Sequence, residues 1–288
     1  MSYKPVIIIG AARSGTNILR DTLSVLPGWD TWDCDEINLI WRHGNLELAH
    51  DKMDESHARP EVAKFIRRQF EDLHKKTGCQ VILEKTCANS LRIPFIESVF
   101  PDARYIYIVR DGRDVVLSAM KRWTASVELA YLFKKLRYVP MSDVPRHGIS
   151  FIRNRLSQAV SSEKRQSCWG PVFPGMRELA SHAPLVEVCA NQWASCVEES
   201  DRAIAKLPGE KWIKVTYEEL VSNSDTVLSE ILKWYYKFDT PPSLPQDALM
   251  AIHAGSLNSW KRKREMFTTP SLENMKEILD RHGYEPSI

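Results

Sequence analysis

Val6-Ile7-Ile8-Ile9-Gly10-Ala11-Ala12-Arg13-Ser14-Gly15-Thr16-Asn17 reads as a strand, a tight loop and the start of a helix. Its first four residues form an apolar, β-branched run that stops at a glycine, the signature of a short buried strand. Beyond the loop, Ile18, Leu19, Leu23 and Leu26 recur at helical spacing as far as Pro27-Gly28. A loop in that position can hold an oxyanion, because backbone N–H groups and the positive end of the helix dipole both face it. The magnesium-nucleotide form of such a loop carries Lys and then Ser or Thr where this chain has Thr16 and Asn17. Asn17 replaces the metal-holding hydroxyl poorly, and the positive charge stands three places upstream at Arg13. The loop therefore suits a phosphate-bearing ligand that needs no magnesium. Taken alone, Gly10 and Gly15 are equally compatible with a plain tight turn.

Outward from this loop, Val81 to Leu83, Tyr105 to Val109 and Trp212 to Val215 read as further strands, each giving way to charged or polar residues. Helices are expected from about Leu91 to Phe100 and from about Ser224 to Tyr236. Strands alternating with helices predict an α/β chain with a P-loop-like three-layer fold: a mainly parallel central sheet flanked by helices. Ligands in such folds bind beyond the carboxyl ends of the strands, so the residues after Ile9, Leu83 and Val109 are expected to converge. The stretch from about 122 to 185 mixes helical periodicity with Pro, Trp and basic residues. It reads as a helical insertion, a possible acceptor-binding region, within a single domain spanning 1–288.

At 288 residues and 43% apolar content the chain can build a sizeable core, and a net charge of +2 gives no general attraction to nucleic acid or an anionic membrane. Six cysteines without a CxxC pair fit neither a zinc site nor a disulfide framework, and the eight histidines show no metal-binding pattern. No apolar run approaches the ~20 residues of a membrane span. The expectation is a cytoplasmic protein with reduced thiols, no metal, no nucleic-acid partner and no stable membrane insertion.

The loop Arg13-Ser14-Gly15-Thr16 resembles the first signature of the PAPS-dependent sulfotransferases (PAPS, 3′-phosphoadenosine 5′-phosphosulfate). Their second signature is an Arg at a strand end with a Ser eight residues on, and Arg110 and Ser118 have that spacing. Glu84-Lys85-Thr86 is similar to the segment that places a lysine near the transferring group. Val215-Thr216-Tyr217 resembles the segment whose Tyr lies against adenine. Ser256-Leu257-Asn258-Ser259-Trp260-Lys261-Arg262-Lys263 is similar to the late loop that closes over the nucleotide. The resemblance implies that Arg13, Ser14, Gly15, Thr16 and Asn17 take the 5′-phosphosulfate, that Arg110 and Ser118 take the 3′-phosphate, and that Tyr217, Trp260, Lys261 and Arg262 complete the nucleotide site.

Where the cytosolic branch places a catalytic His, this chain has Cys87, and a neutral thiol is a poor base. The form of the loop looks closer to the tyrosylprotein and bacterial carbohydrate branches, which carry a Glu some twenty residues after it. Glu36 is the matching candidate for the base, with Asp35 as the neighbouring alternative. The resemblance thus implies in-line sulfuryl transfer from PAPS, leaving 3′,5′-adenosine bisphosphate, with Glu36, Lys85 and Arg13 as the catalytic set. A carbohydrate hydroxyl is the expected acceptor, with a tyrosine phenol or a small-molecule alcohol as alternatives. The rival functions are an ATP-dependent P-loop kinase and a non-catalytic nucleotide-binding protein. Core packing is the competing role for Trp123, Trp169 and Phe173, and a nuclear address, a nucleic-acid patch or a solvated turn the competing role for Lys261 to Arg264.

Overall fold

The computed structural model describes residues 2–125, 143, 168–237 and 257–285. Five parallel strands form the central sheet: β1 Lys4–Ile9, β2 Trp29–Asp30, β3 Val81–Lys85, β4 Arg104–Val109 and β5 Trp212–Thr216, in the order β2-β3-β1-β4-β5. The first strand lies in the middle, with Ile8 opposite Lys85 on one side and Ile106 on the other. Chain order reverses at β1, so the loop after it opens at the sheet's switch point, where α/β folds bind ligands.

Both faces of the sheet are apolar, as expected of parallel strands covered on both sides. On one face Ile7, Ile9, Ile82 and Tyr105 pack with Phe70 of α3 (Pro60–Thr77) and Phe95 of α4 (Ile93–Val99). On the other, Val6, Ile8, Leu83 and Ile106 pack against Leu19 of α1 (Thr16–Ser24) and Leu228 of α9 (Ser224–Tyr236). A third cluster is built mainly by α5 (Gly112–Trp123), α7 (Leu185–Ile204) and α10 (Thr269–Arg281). Short helices at Asn38–Trp41 (α2), Met176–His182 (α6) and Tyr217–Ser222 (α8) complete the set among the described residues.

All four expected strands form, and the expected helix at Ser224 to Tyr236 has those bounds. The helix expected from Leu91 to Phe100 is instead a 3₁₀ turn, Cys87–Leu91, followed by α4 from Ile93. Pro94 explains the shift: lacking an N–H, it is tolerated in the first turn of a helix and not further inside. Of the expected insertion, residues 126–142 and 144–167 lie outside the described residues, as does Ser256 of the late loop. Trp123 and Phe173 are core residues, and Trp169 is half-buried.

Candidate active site at the carboxyl edge of the sheet

The loop between β1 and α1 is shaped by its glycines. A Cβ on Gly10 would stand 2.7 Å from the carbonyl oxygen of Ile108, so β4 leaves no room for one. Gly15 has φ 93° and lies against the ring of Tyr217, which excludes any side chain there. Arg13 also sits in the left-handed region, at φ 75°, a strain of order 1 kcal/mol for a residue with a Cβ. Such strain is typical of loops shaped around a ligand. Ser14 is buried, and its hydroxyl has no hydrogen-bond partner among the described residues, as expected of a group meant for a bound anion.

The arginine and serine at strand β4 and helix α5 meet this same loop. Arg110 donates from a terminal guanidinium nitrogen to the carbonyl oxygen of Arg13 at 3.1 Å and lies over the Tyr217 ring at 4.1 Å. Arg13 in turn donates from Nε to Ser118 Oγ at 3.0 Å. The two anion pockets read from sequence therefore adjoin, with Arg13 as their common wall. Burial, then Arg122, and more weakly Arg110, lower the pKa of the Arg13 guanidinium, so a bound anion would relieve the positive charge gathered there.

Sequence inspection missed Asp114. With Arg110 and Ser118 it repeats at intervals of four, the spacing of one helix face, and that is the signal that would have found it. Its buried carboxylate lies 3.9 Å from Arg110 and accepts from Ser259 Oγ at 2.6 Å and from the Trp260 backbone N–H at 3.0 Å. Asp114 thus ties the late loop to the helix that carries Ser118. Trp260 is buried, its ring 3.6 Å from the Arg113 guanidinium carbon, so that face of the indole is already covered. Lys261 and Arg262 beside it are exposed.

Across the loop, Lys85 ends β3 with a side chain only 1% exposed. Its ammonium donates to Glu36 Oε1 at 3.1 Å, and the Cys87 backbone N–H donates to the same oxygen at 3.3 Å. Burial works against the Lys85 charge, but the Glu36 carboxylate together with weaker contributions from Cys87 and Asp35 outweighs it, and the pKa is raised. Lys85 is therefore an ammonium at neutral pH. Burial, then the Glu36 charge, pushes the Cys87 thiol up to about 12, and the thiol lies 3.6 Å from Thr16 Oγ1. It is no base at neutral pH. The arrangement sets arginines and loop amides suited to phosphate-type anions beside a carboxylate and a buried ammonium, and among the described residues no group of His, Cys, Asp or Glu is placed to hold a metal.

Residues 5–141 match the model of the sulfotransferase family. No curated protein sequence matches the chain. Among solved structures, the sulfotransferase domain from the curacin biosynthetic pathway is 16% identical, with TM-score 0.58 over 98% of this chain and 98% of that one. The sulfotransferase domain of the Synechococcus PCC 7002 olefin synthase is 14% identical, with TM-score 0.55 over 99% of this chain and 96% of that one. A sulfotransferase from Mycobacterium avium is also 14% identical, with TM-score 0.56 over 99% of this chain and 78% of that one. At these identities the structural likeness speaks for the fold, whose likeness extends across the chain.

Proposed function

From the match of residues 5–141 to the sulfotransferase family model, we propose that the chain transfers a sulfuryl group from PAPS to an acceptor hydroxyl with Glu36 as the base. The observation that carries this reading is the meeting of Arg13, Arg110 and the β1 loop on one side with the Lys85–Glu36 pair on the other. The loop amides and Ser14 take the 5′-phosphate, and Arg110 and Ser118 the 3′-phosphate, while Tyr217, which faces Arg110, and the exposed Lys261 and Arg262 complete the nucleotide site. In the reaction the acceptor oxygen forms a bond to sulfur as the bond from sulfur to the 5′-phosphate oxygen breaks. The acceptor proton passes to Glu36, and 3′,5′-adenosine bisphosphate leaves with the developing charge. Arg13 and Lys85 stabilise that charge on the sulfonate and leaving oxygens, which needs their cations fixed in advance.

A carbohydrate hydroxyl is our choice of acceptor, supported by the likeness of the loop to the bacterial carbohydrate branch. We also place the protein in the cytoplasm, in keeping with the free cysteines among the described residues. Among those residues no helix is long and apolar enough to cross a membrane. The test is transfer of ³⁵S from labelled PAPS to a panel of neutral oligosaccharides, tyrosine peptides and simple alcohols. The expected result is labelled oligosaccharide. Labelled peptide or alcohol would move the acceptor class, and binding of the nucleotide with no labelled product across the panel would count against the catalytic reading.

A further inference from the structure

The Glu84-Lys85-Thr86 segment contributes more than its lysine. Ile37, the residue after Glu36, donates its backbone N–H to Thr86 Oγ1 at 3.1 Å. Asn38, one further on, accepts at Oδ1 from an Arg92 terminal nitrogen at 2.7 Å. Thr86 and Arg92 are both wholly buried and are braced by one carboxylate, that of Glu84. Thr86 Oγ1 lies 2.5 Å from Glu84 Oε1, Asn89 Nδ2 donates to Glu84 Oε2 at 2.5 Å, and Arg92 Nε donates to Asn89 Oδ1 at 2.8 Å. The carboxylate of Glu36 is meanwhile held by Lys85 and the Cys87 N–H. Four consecutive residues at the end of one strand therefore fix both the backbone and the side chain of Glu36.

An apolar side chain in place of Glu84 would fill the same space without the cost of drying a carboxyl group. What Glu84 adds is direction. Asn89 must turn its amide N–H toward Glu84, because its oxygen is taken by Arg92, and the other carboxyl oxygen then fixes the Thr86 hydroxyl. Whether that short bond carries its proton on Thr86 or on Glu84, Thr86 keeps a lone pair for the Ile37 N–H.

We propose that Thr86, braced by Glu84, is a positioning residue that aims the Glu36 carboxylate at the acceptor hydroxyl. The inference rests on Glu36 being the base. A base displaced by the order of 1 Å loses up to ~100-fold in rate, so Thr86→Val, which keeps the shape and deletes the acceptor oxygen, is expected to lower kcat about 10-fold or more. Affinity for 3′,5′-adenosine bisphosphate should stay within about twofold, and Thr86→Ser should restore turnover. Amide exchange at Ile37, followed by NMR on the full chain, should accelerate in Thr86→Val and not in Thr86→Ser.

The decisive arm is the double variant with Glu36→Gln, assayed with labelled PAPS and the best acceptor of the panel. If Thr86 acts through Glu36, the double variant is no slower than Glu36→Gln alone. Additive losses, wild-type turnover in Thr86→Val, or unchanged Ile37 exchange would overturn the proposal. Unchanged turnover in Glu36→Gln would instead sink the assignment of the base, while the exchange data would still score the Thr86–Ile37 bond. Should Thr86→Val not fold, Thr86→Cys, whose sulfur is a weak acceptor, carries the same test.

Discussion

Glu84 beneath the candidate active site and Asp201 on α7 are both carboxylates taken partly or wholly out of water, and the protein treats them in opposite ways. For Asp201, burial works against the charge, but hydrogen bonds from His282 and Tyr107 outweigh it and the pKa falls below the usual value. Tyr107 donates to one oxygen at 2.8 Å, and Arg281 and His282 meet the other at 2.9 and 3.0 Å, which clips the end of α10 to α7 and β4. For Glu84, burial dominates, and the hydrogen bond from Thr86 and the charge of Arg92 do not offset it, so the pKa is raised. Asp201 is arranged for stability. Glu84 is a costly group kept at a strand end, where its value lies in orienting the residues around Glu36.

The contrast implies that changes near Glu84 act on catalysis and changes at Asp201 act on folding. The largest effect is expected at the base itself. Glu36→Gln should lower turnover by ~100- to 10,000-fold, the usual range for a general base, with affinity for 3′,5′-adenosine bisphosphate nearly unchanged; steady-state kinetics beside calorimetry would check both. Next comes Arg110→Ala, which should weaken binding of the bisphosphate by roughly 2 to 4 kcal/mol through loss of a charge-assisted phosphate contact. Unchanged affinity by calorimetry would remove Arg110 from the 3′-phosphate pocket.

Asp201→Asn should leave turnover intact and cost about 1 to 2 kcal/mol of stability at neutral pH, the modest end for charged hydrogen bonds because the group is partly solvated. The sign follows from its depressed pKa. The contribution is present above the unfolded value of 3.8 and is lost as pH falls through the lower folded value. Urea unfolding at pH 7 and at a pH well below 3.8 should therefore separate wild type from variant at the first and bring them together at the second. Glu84 runs the other way: its raised pKa gives a contribution that is full below its unfolded value and fades as pH rises through the folded one.

The smallest effect is expected at Cys87. Its thiol, pushed up to about 12, carries no charge in the working range, and beside the thiol's own hydrogen bond to Glu36 the backbone N–H, which the substitution keeps, holds the same carboxylate. Cys87→Ala should change kcat by less than about threefold and leave the pH–rate profile in place.

The strands were legible because a doubly covered parallel sheet demands continuous apolar runs, which Val6 to Ile9 and Tyr105 to Val109 display. The two-residue strand Trp29–Asp30 was not, because two residues carry no period. Arg13, Lys85 and Arg110 were found because each follows such a run by a few residues at most. Asp114 was overlooked, and Thr86 was read only as part of its motif, for a shared reason: their partners, Trp260 and Ile37, lie far away in sequence, and only the folded chain brings a backbone N–H to each. Glu84 looked like one more polar residue at a strand end, and nothing in its immediate neighbours announced that it would be wholly buried.

On the proposed function, the pockets around Arg13 and Arg110 take an adenosine bisphosphate and not a magnesium nucleotide. Titration calorimetry of the full chain with 3′,5′-adenosine bisphosphate and with ATP, each with and without magnesium, tests it most directly. One-to-one binding of the bisphosphate that is indifferent to the metal is expected, with ATP at least about tenfold weaker, a loss of roughly 1.4 kcal/mol or more. Binding of ATP that is tighter than the bisphosphate and dependent on magnesium would contradict it.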